Sequence, residues 1–204
     1  MSNKMEEKEK PYFVQRLGAF LIDLIIVAFV SSLLTMPFQT NSVQKLNNQI
    51  IDTSTKYVSQ EISPAIYINK MIDLNYQLGK QTGLSSVITI LIYVIYYVVI
   101  QMKLGGQTLG KRVLKIKVVK NDDSDLTMND MVLRGLINNS ILCDILVVIF
   151  ALVNKYVYFY GSTGFQWLQG LIIIVSVFMI TIRKDGRSIA DMIVKTRVVS
   201  LKED

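Results

Sequence analysis

Histidine is missing from all 204 residues. Its absence removes the commonest general base, proton shuttle and metal ligand, so Ser–His triads, histidine zinc sites and His-ligated haem are excluded. Cysteine occurs once, at Cys143, which rules out an intramolecular disulfide framework or a cysteine metal cluster. Its apolar surroundings mark it as a small packing residue. No small-x-small cleavage site follows the first apolar run, and Leu17 to Phe38 is too long for a signal-peptide core, so this run is expected to stay as an anchor. Charge is absent from two long stretches, Leu84 to Met102 and Gly164 to Ile182. These absences leave an enzyme with few tools, and neither catalysis nor a cofactor is expected.

What the chain does contain is apolar. At 51% hydrophobic residues and a mean hydropathy of +0.39, it is too hydrophobic for an ordinary soluble domain, and a single membrane domain over 1-204 is expected. A helix needs about 20 apolar residues to cross the hydrocarbon core, and four segments reach that length: 17-38, 84-102, 136-153 and 164-182. The first carries Asp23 and the third carries Asn138, Asn139 and Asp144. The fold expected is an all-α membrane protein of four spans.

The net charge of +6 does not point to nucleic acid, because the basic residues flank the apolar runs and form no patch on a soluble fold. Anionic lipid headgroups are the expected partner. Lys and Arg resist translocation, and 17 of them fall in the N-terminal tail, the 103-135 loop and the tail at 183-204, against five in the 39-83 segment and the loop after Asn154. Both termini are therefore expected to be cytoplasmic.

At an offset of 80, Gly106-Gln-Thr-Leu-Gly-Lys-Arg-Val-Leu-Lys-Ile-Lys-Val-Val119 aligns with Gly186-Arg-Ser-Ile-Ala-Asp-Met-Ile-Val-Lys-Thr-Arg-Val-Val199. Each copy follows an uncharged span. The preceding spans also echo one another, with Arg16 before Asp23 and Arg134 before Asp144. This reads as two repeated two-helix units related by an axis along the membrane normal.

These residues carry a resemblance to the RDD family of bacterial membrane proteins, named for one arginine and two aspartates. Arg16, Asp23 and Asp191 look like the three, and Gly106-Gln-Thr-Leu-Gly-Lys-Arg112 looks like the family's other signature. The resemblance covers the whole chain except 39-83, which is long here. It implies the architecture and placement in the bacterial cytoplasmic membrane. It leaves the activity open, cation transport being suggested for some members.

An aspartate near a span centre costs about 2.5–3.5 kcal/mol on insertion scales and requires a partner, which makes Asp23 the first candidate for function. Arg16 lies two turns away, roughly 10 Å along the axis, too far for most direct contacts. In one reading, Asp23 and Asp144 line a path for a cation or proton, with Arg16 tuning them and a homo-oligomer enclosing the path. In the other, favoured reading, these charges fix helix register. Asp191 is expected to pair with Lys111, Arg112 or Arg16 and staple the cytoplasmic surface.

Gly105 to Lys111 nearly spells a phosphate-binding loop, but Arg112 stands where Ser or Thr would hold magnesium, and a span precedes it in place of a strand. Leu114, Ile116 and Val118 alternate with Lys115 and Lys117, which suits a short extended stretch as well as an interfacial helix. Lys111, Arg112, Lys115, Lys117, Arg187, Lys195 and Arg197 are expected to face anionic lipid. Asp122-Asp-Ser-Asp125 reads as a solvated turn, lacking the glycine and terminal glutamate of a calcium loop. The 39-83 segment reads as two amphipathic helices outside the membrane, the second capped by Ser63 with Pro64 at its first position and Gly79 near its end. It is either a hairpin packed over the spans or a docking surface for an extracytoplasmic protein partner.

Overall fold

The computed structural model describes residues 11–201. Lys4, Lys8, Lys10 and Lys202, four of the 17 basic residues expected on the cytoplasmic side, lie outside them. In chain order the elements are α1 (Phe13–Thr35, closed by a 3-10 turn at Met36–Phe38), α2 (Asn41–Val58), α3 (Pro64–Gln81), α4 (Gly83–Lys103), α5 (Leu109–Val113), β1 (Ile116–Lys120), α6 (Met128–Asn138), α7 (Ile141–Val153), α8 (Lys155–Ile182), α9 (Ile189–Ile193) and β2 (Thr196–Ser200). Three helices, Phe13–Phe38, Gly83–Lys103 and Lys155–Ile182, are long and apolar enough to cross a membrane. α6 and α7 together make a fourth candidate that is broken and bent.

The third span is therefore not the single helix expected over 136-153. The chain breaks where Asn138, Asn139 and Ser140 follow one another, residues whose short polar side chains compete with the helical ladder. Asn139 caps α6 with its N–H on the Gly135 carbonyl, and Ser140 takes φ +59°, a left-handed conformation no α-helix accommodates. The fourth span also begins earlier than expected. Asn154 Oδ1 accepts from the N–H groups of Tyr156 and Val157 at 2.9 and 3.0 Å and starts α8 there. Gly161 does not interrupt it, since its bare Cα lets the Phe150 ring approach; an added Cβ would stand 2.7 Å from that ring.

The described residues form two compact units. Unit 1 takes the chain up to Val30, Ile92–Ile141 and everything from Gly170. Its core packs Ala19, Val98, Ile116, Val118, Met131 and Val198, with a second cluster of Val27, Tyr96 and Tyr97. A π-helical stretch at Ile95–Ile100 widens α4 here and turns the consecutive residues Tyr96, Tyr97 and Val98 all inward. β1 and β2 pair antiparallel, so Ile116–Lys120 settles as extended chain and not as an interfacial helix. Val118 pairs with Val198, the residue 80 positions on. The two basic segments are built alike. Each has a glycine at positive φ (Gly106, Gly186), a hydroxyl N-cap (Thr108, Ser188), a five-residue helix, a left-handed lysine (Lys115 φ +53°, Lys195 φ +55°) and a strand.

Unit 2 holds Ser31–Leu91 and Leu142–Gln169. α2 and α3 form a hairpin whose N-caps are Thr40 and Ser63, with Pro64 opening α3. Tyr57 stacks on Tyr67 across it at 4.3 Å. Gly79 stands near the end of α3, in its last turn before Gln81. Tyr158 packs against its Cα, where a Cβ would meet the ring at 2.4 Å, and Lys155 reaches Asp73 at 2.7 Å. Cys143 is buried, its thiol 3.6 Å from Gln169 Oε1.

Candidate functional site

Five charged residues of unit 1, Arg16, Asp23, Lys111, Arg134 and Asp191, line one cavity of about 330 Å³. Asp23, on α1, is 3% exposed. Its Oδ1 accepts from Tyr96 Oη at 2.6 Å and from the Gly110 N–H at 2.8 Å, and its Oδ2 accepts from Thr108 Oγ1 at 2.6 Å. The segment that resembles a phosphate loop is thus a carboxylate cradle, already filled from within the chain. Thr108 serves twice, donating to Asp23 while accepting the Lys111 N–H at 3.3 Å as the N-cap of α5. Gly110 admits no larger residue, because a Cβ would stand 2.2 Å from the Ala19 carbonyl oxygen and 2.8 Å from Asp23 Oδ1. Gly106 is held at φ +90°, where a Cβ would meet the Val118 carbonyl at 2.4 Å.

The second carboxylate, Asp191 on α9, is the anion between two guanidinium groups. Arg134 donates to its Oδ1 and also to Thr196 Oγ1, Arg16 reaches Oδ2 at 3.4 Å, and the Ser188 N–H donates to Oδ2 at 3.0 Å. The Ser188 hydroxyl accepts the Asp191 N–H in return, a capping box that holds the carboxylate in place for the arginines. Burial alone pushes this carboxyl up. The charges of Arg134 and Arg16 and their hydrogen bonds outweigh it and hold the pKa at about 2. Arg16 NH2 also donates to the Val198 carbonyl at 3.4 Å, which ties α1 to β2.

Lys111 occupies the position 80 residues before Asp191, so the two basic segments differ by a full charge reversal at this point. It makes no ion pair among the described residues. With the Gln101 amide turned to satisfy both its ends, the Gln101 oxygen accepts from Lys111 Nζ at 3.1 Å and its nitrogen donates to the Tyr97 carbonyl at 3.0 Å. Burial and then the charge of Arg134 pull the Lys111 ammonium down to a pKa of about 8, against the opposing pull of Asp23 and Asp191.

The model of the RDD family matches residues 10–195. This chain belongs to the RDD family. The family is one of membrane proteins, in keeping with the apolar helices. No curated protein and no solved structure matches the chain.

In this RDD protein Arg16 pairs with Asp191 and not with Asp23, its neighbour on α1. Asp144 sits half-buried on α7 in unit 2 and does not line the cavity. Of the basic residues expected at the lipid surface, Lys111 belongs to the cavity. Arg187 pairs with Asp185, and Arg197 with Asp123 at 3.0 Å. Arg112, Lys115 and Lys195 are exposed and Lys117 is half-buried. Arg134 is the functional residue that the sequence reading passed over. Its signal was present, since it stands before the third span as Arg16 stands in the first. Tyr96, Thr108 and Thr196 carried no such signal, because a hydroxyl beside a span has no spacing rule that marks it as a carboxylate donor.

Proposed function

We propose that this RDD protein is a non-catalytic, multi-pass component of the bacterial cytoplasmic membrane. It would recognise an extracytoplasmic protein through the α2–α3 hairpin while its basic segments rest on anionic lipid. Both termini would be cytoplasmic, and the two halves would descend from one duplicated unit. The charge asymmetry supports the orientation, and the matched architecture of the two basic segments, with Val118 opposite Val198, supports the duplication.

The observation that carries the non-transporting reading is the engagement of Asp23 by its own chain. A carboxylate that cycles a cation or proton must exchange its partners, whereas both oxygens of Asp23 are held by short hydrogen bonds from Tyr96, Thr108 and Gly110, which fill three of its roughly four acceptor sites. Asp191 is likewise committed to Arg134 and Arg16. These acids act as fasteners for α1, α4 and the basic segments.

The test is ion and proton movement in liposomes holding the purified protein, under sodium, lithium and potassium gradients. Flux equal to that of empty liposomes is the expected outcome. Flux that Asp23→Asn removes from a folded protein would sink this reading and establish a transporter with an intramembrane acid at its centre.

A further inference from the structure

Charge does not balance in the unit 1 cavity. Three cations line it against two carboxylates, and both carboxylates are already engaged, Asp23 by neutral donors and Asp191 by the two arginines. Lys111 is left with the neutral amide of Gln101. Two further polar atoms on lining residues have no partner. Arg16 Nε is buried without a hydrogen bond on a side chain 10% exposed, and so is Ser176 Oγ on a residue 8% exposed. A half-buried ammonium with no counter-ion, together with a guanidinium N–H and a hydroxyl that have no hydrogen bond, describes a donor set lacking an anionic acceptor.

The walls around this polar floor are of another kind. Leu17 and Phe20 of α1 and Ile173 and Val177 of α8 line the cavity while staying 40–48% exposed, on helices long and apolar enough to lie in a bilayer. An occupant would meet cationic donors at one end and lipid-facing side chains at the other. The volume of about 330 Å³ lies at the small end of ligand pockets, which run from about 300 to 1,000 Å³. It admits a headgroup and leaves any tail among the exposed apolar side chains.

We propose that this cavity binds the phosphate group of an anionic membrane lipid, with Lys111 as the principal cation, Ser176 as a second donor and the acyl chains lying along α1 and α8. The proposal goes beyond the partner reading above and does not depend on it, because the hairpin contributes nothing to the cavity.

The experiment uses the full chain purified in a neutral maltoside detergent and follows its thermal unfolding as ligand is added. Phosphatidylglycerol should raise Tm with concentration, as any ligand of the native state does. Phosphatidylcholine and inorganic phosphate should leave it unchanged. Lys111→Met removes the unmatched cation, and Ser176→Phe fills the cavity while keeping every charge; each should abolish the shift. Arg112→Gln, on the exposed basic surface, should retain it. A phosphatidylglycerol shift that survives in both cavity variants, or its absence in the wild-type chain, overturns the proposal. An equal response to inorganic phosphate overturns the lipid assignment in favour of a free anion.

Discussion

Asp191 holds two guanidinium groups in a space where its own side chain is 1% exposed, so its charge cannot be removed without stranding theirs. Breaking a buried pair by deleting one partner costs about 3–5 kcal/mol, and here both arginines lose their counter-ion at once. Asp191→Asn should therefore unfold at a markedly lower temperature in detergent, with a loss of that order. The same residue sets an acid limit. Its carboxyl titrates at about 2 in the folded chain against an ordinary 3.8, so the stability it contributes is complete above about pH 4 and is lost as pH falls from there through about 2. Unfolding followed by circular dichroism should show that loss in the wild-type chain and not in Asp191→Asn. An equal acid response in both would place the sensitivity elsewhere. Lys111 gives a pH slope of the same sign at higher pH and for another reason, since here burial disfavours the charged form. Its pKa is lowered from 10.5 to about 8, so the folded state sheds its proton first and this group's contribution to stability rises with pH across that interval.

At the scale of elements, the break between α6 and α7 decides where Arg134 stands. α6 ends at Asn138 with a capping box at its start, Thr127 and Asp130 exchanging hydrogen bonds, and this short helix carries Arg134 to Asp191. A single straight span from Met128 to Val153 would have no place for the left-handed residue Ser140. That conformation costs an L-residue about 1–2 kcal/mol and a β-branched one more. Ser140→Gly should be tolerated or mildly stabilising, while Ser140→Val should lower stability by about 1–2 kcal/mol, both read from denaturant midpoints. Equal effects would mean that the break is not held by this residue. The turn of the helical ladder was legible in Asn138-Asn139-Ser140 as polarity, but not as a break, because the apolar stretch that follows satisfies the length criterion for a span either way. The hairpin helices were legible in full, since helical periodicity and the Ser63–Pro64 start are local signals. The strand at Ile116–Lys120 was only half legible: alternation allowed it, and its partner 80 residues on decided it.

For the molecule as a whole, the charge rule predicts which parts share a side of the membrane. Cysteine labelling in intact cells tests it in a Cys143→Ser background. A cysteine at Lys45 in the hairpin should react with a membrane-impermeant maleimide, whereas cysteines at Arg112 and Lys195 should react only after the membrane is opened. Labelling at 112 and 195 in intact cells, with 45 protected, would reverse the orientation and with it the proposed outside partner.

Three of the apolar spans, the basic flanks, the family, and Asp23 and Asp191 as candidate acids were legible in the sequence alone. Each follows from composition or from spacing along one stretch of chain, and such signals survive without knowledge of distant residues. Which acid meets which base was decided only in three dimensions. Arg16 and Asp23 share a helix face, yet Arg16 bonds Asp191, 175 residues on, and Asp23 is taken by Tyr96, Thr108 and Gly110. A buried carboxylate takes whatever donors packing brings within about 3 Å. That proximity is set by the strand pairing, the widened turn of α4 and the glycine at 110, none of which lies within reach of local pattern.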